Sequence, residues 1–221
     1  MSYIVDVLII FLLFALYSWL HSILASNGVK ESFKKKFGGL IAFYRLGFNL
    51  FSIASFYFIY ELSPKPHLIM YDLPNPFDLL VLIPQLAALF GLFWSFNYIC
   101  VKEFLGLNQI KRYFNKSYSS ELDEEMTLTI GGPYRYSRHP IYFFSIIFLM
   151  FRPTMDLFYL TFFLLIVSYF YIGSLYEEKK LVRNFGDVYI RYQNSVSRIF
   201  PKIPFRAYDA KEYVKDIIEI E

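Results

Sequence analysis

Residues 141–176, IYFFSIIFLMFRPTMDLFYLTFFLLIVSYFYIGSLY, decide the fold. Only Arg152 and Asp156 break the apolar character, and both flank the Pro153 turn in the middle. Apolar residues in unbroken blocks are the pattern of membrane-spanning helices. The block 157–176 has the roughly 20 residues that one crossing needs. The block 141–151 has eleven, which rise about 16 Å, half of an apolar layer about 30 Å thick. It therefore either extends backwards into the polar residues before it or enters the membrane as a re-entrant piece. Joined by 152–156, the two blocks form a tight helical hairpin, which returns its two ends to the same side.

Two polar segments sit at those ends: GGPYRYSRHPIY at 131–142 and YEEKKLVRNFGDVYIRYQNSV at 176–196. Gly131-Gly132-Pro133 breaks any preceding helix. Pro140 suits a first helical turn, where its missing N–H is no loss. Free backbone N–H groups there, with Arg138 and His139 beside them, are the makings of an anion site; the plainer alternative is two interfacial residues reaching for water. In the second segment Glu177 and Glu178 point about 100° apart on a helix, so one of them faces the site. The helix continues past them, since Leu181, Phe185, Val188, Tyr189 and Tyr192 recur at helical spacing. This is an amphipathic helix over the membrane interface, placed to act as a lid.

Further outward, 3–24, 43–62 and 79–101 read as three more spans, giving five in an all-α polytopic membrane protein. The opening lacks a basic leader and its apolar run exceeds that of a signal peptide, so the first span is expected to be retained. His21-Ser22 reads as an interfacial cap of that span. The segment 63–77 reads as a proline-rich turn, and Glu121, Asp123, Glu124 and Glu125 as a solvated loop. The chain is expected to be a single membrane domain, 1–221, with an N-terminal three-helix part (1–101) and a part, 102–221, made of a loop, the helical hairpin and a C-terminal segment. With the N-terminus outside, the inside segments and Arg45 hold 20 of the 22 Lys and Arg. The positive-inside rule then places the C-terminus and both polar segments in the cytoplasm, a bacterial inner membrane being the default.

Composition agrees: 56% of the residues are hydrophobic and 19% charged, against about 25% charged in an average soluble domain. A net charge of +3 is too small and scattered to argue for nucleic acid as a partner. A single cysteine, Cys100, excludes an intramolecular disulfide, and three scattered histidines give no metal-binding spacing. The expected partner on these grounds is the lipid bilayer, without nucleic acid or metal.

At the two polar segments the sequence resembles the isoprenylcysteine carboxyl methyltransferase superfamily. The first matches as Gly132-Pro-Tyr-Arg-Tyr-Ser-Arg-His-Pro-Ile-Tyr142 and the second as Glu177-Glu-Lys-Lys-Leu-Val-Arg-Asn-Phe-Gly-Asp-Val-Tyr-Ile-Arg-Tyr192. A terminal Val196-Ser-Arg-Ile-Phe-Pro201 follows. HSILASNGVK at 21–30, FYRLGFNLFS at 43–52 and the 152–155 turn are similar to the nurim-like branch, which includes methanethiol S-methyltransferases. The resemblance implies a pocket for S-adenosyl-L-methionine bordered by Met126, Leu128 and Thr129. It implies cofactor contacts at Tyr134, His139, Pro140, Ile141 and Tyr142, with Glu178 as the binding carboxylate and Glu177 as its substitute.

One departure bears on the substrate. Prenylcysteine enzymes carry an arginine five residues before that glutamate, where this chain has Gly173. A carboxylate acceptor is thereby disfavoured, and S-methylation of a small or lipophilic thiol is the expected reaction. Arg138 would steady a thiolate, or His139 would take the proton. The alternatives are a prenylcysteine carboxylate or lipid amine as acceptor, an NADPH-dependent reductase resembling sterol reductases, and a non-enzymatic nurim-like protein.

Overall fold

The computed structural model describes residues 2–117, 122, 127–204 and 206–209. Met126 and the acidic run Glu121, Asp123, Glu124 and Glu125 lie outside the described residues. The elements in chain order are α1 (Tyr3–Ala25), α2 (Asn27–Phe37), a 3-10 turn (Gly38–Phe43), α3 (Tyr44–Leu62), β1 (Ile69–Asp72), α4 (Phe77–Leu80) and α5 (Leu82–Phe96). They continue with α6 (Val101–Leu105), α7 (Leu107–Asn115), a 3-10 turn (Gly132–Arg135), α8 (Pro140–Met150), β2 (Thr154–Asp156) and α9 (Leu157–Ser195).

The chain is an all-α membrane protein. Four helical stretches among the described residues are long and apolar enough to cross a bilayer: Tyr3–Ala25, Asn27–Leu62, Phe77–Phe96 and Leu157–Ser195. The fifth expected span is the eleven-residue α8, which stays too short to cross alone. Its proline start shows that the helix does not extend back into the polar motif. Large apolar side chains such as Ile53, Phe90 and Leu164 face outward, as lipid-facing residues do.

The chain divides into two compact units, Met1–His67 with Cys100–Thr127, and Leu68–Ile99 with Leu128–Glu221. In the first, the Tyr44 hydroxyl donates to the Leu24 carbonyl at 2.7 Å and so ties the start of α3 to the end of α1. Arg45 and Asn49 donate to the Phe104 carbonyl at the end of α6. Arg112 grips Glu103 with two hydrogen bonds of 3.0 and 2.8 Å. His21 is no simple cap: its ring packs 4.8 Å from Phe48 and 5.5 Å from Tyr17, because α3 lies over that turn of α1.

In the second unit α5 packs along α8. Gly91 makes this possible, since a Cβ there would run into the Phe144 ring. Segment 68–99, which the sequence groups with the N-terminal part, thus packs with the C-terminal residues. The proline-rich segment is more than a turn. Its β1 pairs antiparallel with β2 in the hairpin turn, and Thr154 donates to Asp72 at 2.6 Å. Asp156 then caps α9 by accepting the Tyr159 N–H at 2.7 Å.

Helix α9 runs 39 residues, apolar to Tyr176 and polar beyond, and bends at Gly186 (φ 53°), a left-handed conformation that glycine adopts without strain. Its amphipathic half is packed rather than free. Tyr189 and Tyr192 are buried in a core with Ile130 and Val196, flanked by Leu128, Leu181, Val182 and Phe185.

Candidate active site

The motif 131–142 is held in place by glycine, aromatic and backbone contacts. Gly132 has φ 56° and lies against the Tyr98 ring, so a side chain there would be strained and would also collide with that ring. Thr129 donates to the Tyr98 carbonyl at 3.2 Å. The 3-10 turn then presents Tyr134, whose carbonyl accepts the Tyr192 hydroxyl. Residues 137 and 197 form a parallel bridge. Around it the Arg138 and His139 N–H groups donate to the Ser197 and Arg198 carbonyls, each at 2.9 Å. The buried Ser137 hydroxyl donates to the Ile199 carbonyl at 2.7 Å. The backbone N–H groups that the sequence suggested for an anion are therefore taken up at 138 and 139.

This scaffold sets Arg138 and His139 opposite Glu178, two residues past the apolar part of α9. Arg138 donates from Nε to Glu178 Oε1 at 2.7 Å and from Nη2 to Oε2 at 3.0 Å. Its Nη1 serves the carbonyls of Gln193 and Val196. Four of its five N–H donors are thus given to the protein. His139 Nε2 lies 3.2 Å from Glu178 Oε1, and Oε2 also accepts from Gln193 (3.0 Å) and Arg198 (3.3 Å). Five hydrogen bonds fill the carboxylate, whose side chain is 4% exposed. A charge so deeply buried is tolerable only with this many partners.

Glu177 differs. Its side chain is 51% exposed, accepts the Tyr142 hydroxyl at 3.1 Å, and lies 3.5 Å from His139 Nδ1. The rings of His139, Tyr142 and Phe170 stack in parallel, with centroids 5.2 and 4.6 Å apart. Burial, with the Glu177 charge second, pushes the Tyr134 phenol up to about 12, so it is neutral at working pH. Pro140 is buried at the start of α8 and Ile141 is half-buried beside it. The structure therefore brings together Tyr134, Arg138, His139, Tyr142, Glu177 and Glu178, while Leu128 and Thr129 sit on the loop that packs beneath.

Gln193, Arg198 and Phe170 also belong to the cluster and were not singled out in the sequence. Arg198 stood only as part of the terminal pattern. Gln193 and Phe170 carry no local signal, because their roles depend on the bend of α9 and on its pairing with α8. Among the described residues, no group of three or more His, Cys, Asp or Glu side chains is arranged to hold a metal ion.

No family model matches the chain, and no solved structure matches it. Two curated proteins do. A methanethiol S-methyltransferase of a Pseudomonas species is 32% identical over 122 residues, covering 53% of this chain and 45% of that protein. Methanethiol S-methyltransferase 1 of Bradyrhizobium diazoefficiens is 35% identical over 68 residues, covering 31% of this chain and 24% of its own length. The chain is a distant relative of these enzymes. It matches less than half the length of either, so the likeness supports a methyltransferase ancestry and leaves the activity to be argued from the site.

Proposed function

We propose that this chain is a membrane-embedded methyltransferase that uses S-adenosylmethionine and methylates a small or lipophilic thiol. The observation that carries the proposal is the meeting of the two motif halves. Arg138 and Glu178, 40 residues apart, close into one buried network with the exposed carboxylate of Glu177 at its edge. The name carried by both relatives points the same way.

The side chains suit such a cofactor, which supplies a methyl group on a cationic sulfur. Ring faces attract a sulfonium; in the stack of His139, Tyr142 and Phe170 it is the outer faces of the end rings that would meet one, with the neutral Tyr134 nearby. Glu177 has room to accept from an ammonium group or ribose hydroxyls. Glu178 has its acceptor sites filled, so its part is to hold Arg138 and His139, and the contact with the cofactor passes to its neighbour. The resemblance adds Leu128, Thr129, Pro140 and Ile141 as further cofactor contacts, together with Met126, which lies outside the described residues. Arg138 and His139 act as positioning residues: the donors of the first are used, and both nitrogens of the second face carboxylates.

Methyl transfer to sulfur is an in-line displacement, which needs alignment and a dry site rather than a covalent nucleophile. A Cβ at Gly173, one turn before Glu177, would meet nothing within 4 Å. That leaves room for an uncharged acceptor where a basic side chain would favour an acid. A thiol with an ordinary pKa of about 8–9 is partly ionised near neutral pH. We place the site on the cytoplasmic face of a bacterial inner membrane, where such a cofactor is made.

Calorimetry of purified, detergent-solubilised protein with S-adenosylhomocysteine tests the proposal, beside Glu177→Ala and an NADPH control. Micromolar binding that the variant weakens at least tenfold is expected. Binding of NADPH instead would move the chain to the reductases.

A further inference from the structure

We infer that Arg198 is a carboxylate-binding residue of this site, an inference that rests on the methyl-transfer reading above. Two arginines surround Glu178, and they are used differently. Arg138 is 8% exposed and spends every guanidinium nitrogen on the protein. Arg198 is 29% exposed and gives Glu178 only its Nε, at 3.3 Å. Among the described residues no protein acceptor meets its Nη1 or Nη2. The guanidinium is nevertheless fixed, since its carbon lies 5.5 Å from the centroid of the Tyr171 ring.

An edge with two open N–H groups, anchored at its third nitrogen and backed by an aromatic face, is preorganised for a carboxylate. The charge balance agrees. One buried carboxylate faces two guanidinium groups, which leaves a positive charge on the more exposed of them. Glu177, with its own unfilled acceptor capacity, lies at the other end of a chain of contacts through His139 and Glu178. The open edge of Arg198 itself calls for an anion of carboxylate shape. The carboxylate has two possible sources, the amino-acid end of the methyl donor and an acid on the acceptor.

The test uses the full chain in detergent as wild type, Arg198→Gln, Arg198→Lys and Gln193→Ala. Calorimetry compares S-adenosylhomocysteine with its decarboxylated analogue; initial rates compare 3-mercaptopropionate with ethanethiol. For a donor carboxylate, removing the acid weakens binding to wild type about 10- to 100-fold. Arg198→Gln then binds both compounds alike and Arg198→Lys recovers part of the difference. Gln193→Ala, which loosens Glu178 without touching the guanidinium, still discriminates. For an acceptor carboxylate, the same pattern appears in KM for the two thiols and is absent from the calorimetry. If wild type binds S-adenosylhomocysteine and Arg198→Gln discriminates as wild type does in both comparisons, the assignment of Arg198 is wrong and methyl transfer stands. Wild type that neither binds the compound nor methylates a thiol overturns both.

Discussion

Glu177 and Glu178 are neighbours in sequence with opposite circumstances, and the difference is testable residue by residue. Glu178→Ala leaves Arg138 buried without its carboxylate, a change that costs about 3–5 kcal/mol when one partner of a buried pair is removed. We expect a large drop in the thermal unfolding midpoint in detergent. Glu177→Ala removes a half-exposed group and should move stability within about 0.5 kcal/mol while weakening ligand binding. Tyr134 provides a second check at this scale. Its phenol is held neutral chiefly by burial, so ultraviolet titration should find it ionising at about 12, against about 10 for an ordinary phenol. The sign is that of a raised acid: the neutral phenol favours the folded state below pH 10, and that contribution is lost as pH climbs towards 12. Glu177→Gln should bring the value down slightly, since that charge is the lesser cause.

Among the elements, the α5–α8 contact depends on a missing side chain. Gly91→Leu forces a methylene chain into the Phe144 ring; overpacking of this kind costs about 1–3 kcal/mol. A lower unfolding midpoint is expected, and Phe144→Ala in the same chain should recover part of it. The hairpin was legible because Arg152-Pro153 interrupts two apolar blocks, and its turn is where the sequence places it. The ribbon inside that turn was not. Ile69-Met70-Tyr71-Asp72 reads locally as loop, and its partner lies more than 80 residues away, so nothing in either stretch announces the pairing. The meeting of 131–142 with 176–196 was legible for a simple geometric reason: a helical hairpin must return its ends together. The filling of Glu178 was not, because two of its partners, Gln193 and Arg198, arrive only after α9 bends at Gly186.

At the scale of the whole molecule, the chain carries its own reporter of the direction of insertion. Cys100 is its only cysteine and is exposed. It lies at the end of the third apolar stretch, on the side that the lysine and arginine asymmetry assigns to the cytoplasm. A membrane-impermeant maleimide should therefore label Cys100 in inverted vesicles and not in intact cells. Labelling in intact cells alone would reverse the topology and set the site on the outer face. Among the described residues four helical stretches are long enough to cross, and the eleven-residue α8 reaches only about half-way.

The parallel bridge between 137 and 197 has a consequence for biosynthesis. A ribosome delivers Arg138 and His139 about 60 residues before the carbonyls of Ser197 and Arg198 that take their N–H groups. Throughout that interval a buried-to-be cation and an imidazole wait with their backbone donors unmatched. The hairpin can insert early, but the pocket locks last, by a clasp that closes only when the chain beyond α9 folds back. A nascent protein stalled before Ser197 would thus be embedded in the bilayer with the candidate site still unclasped.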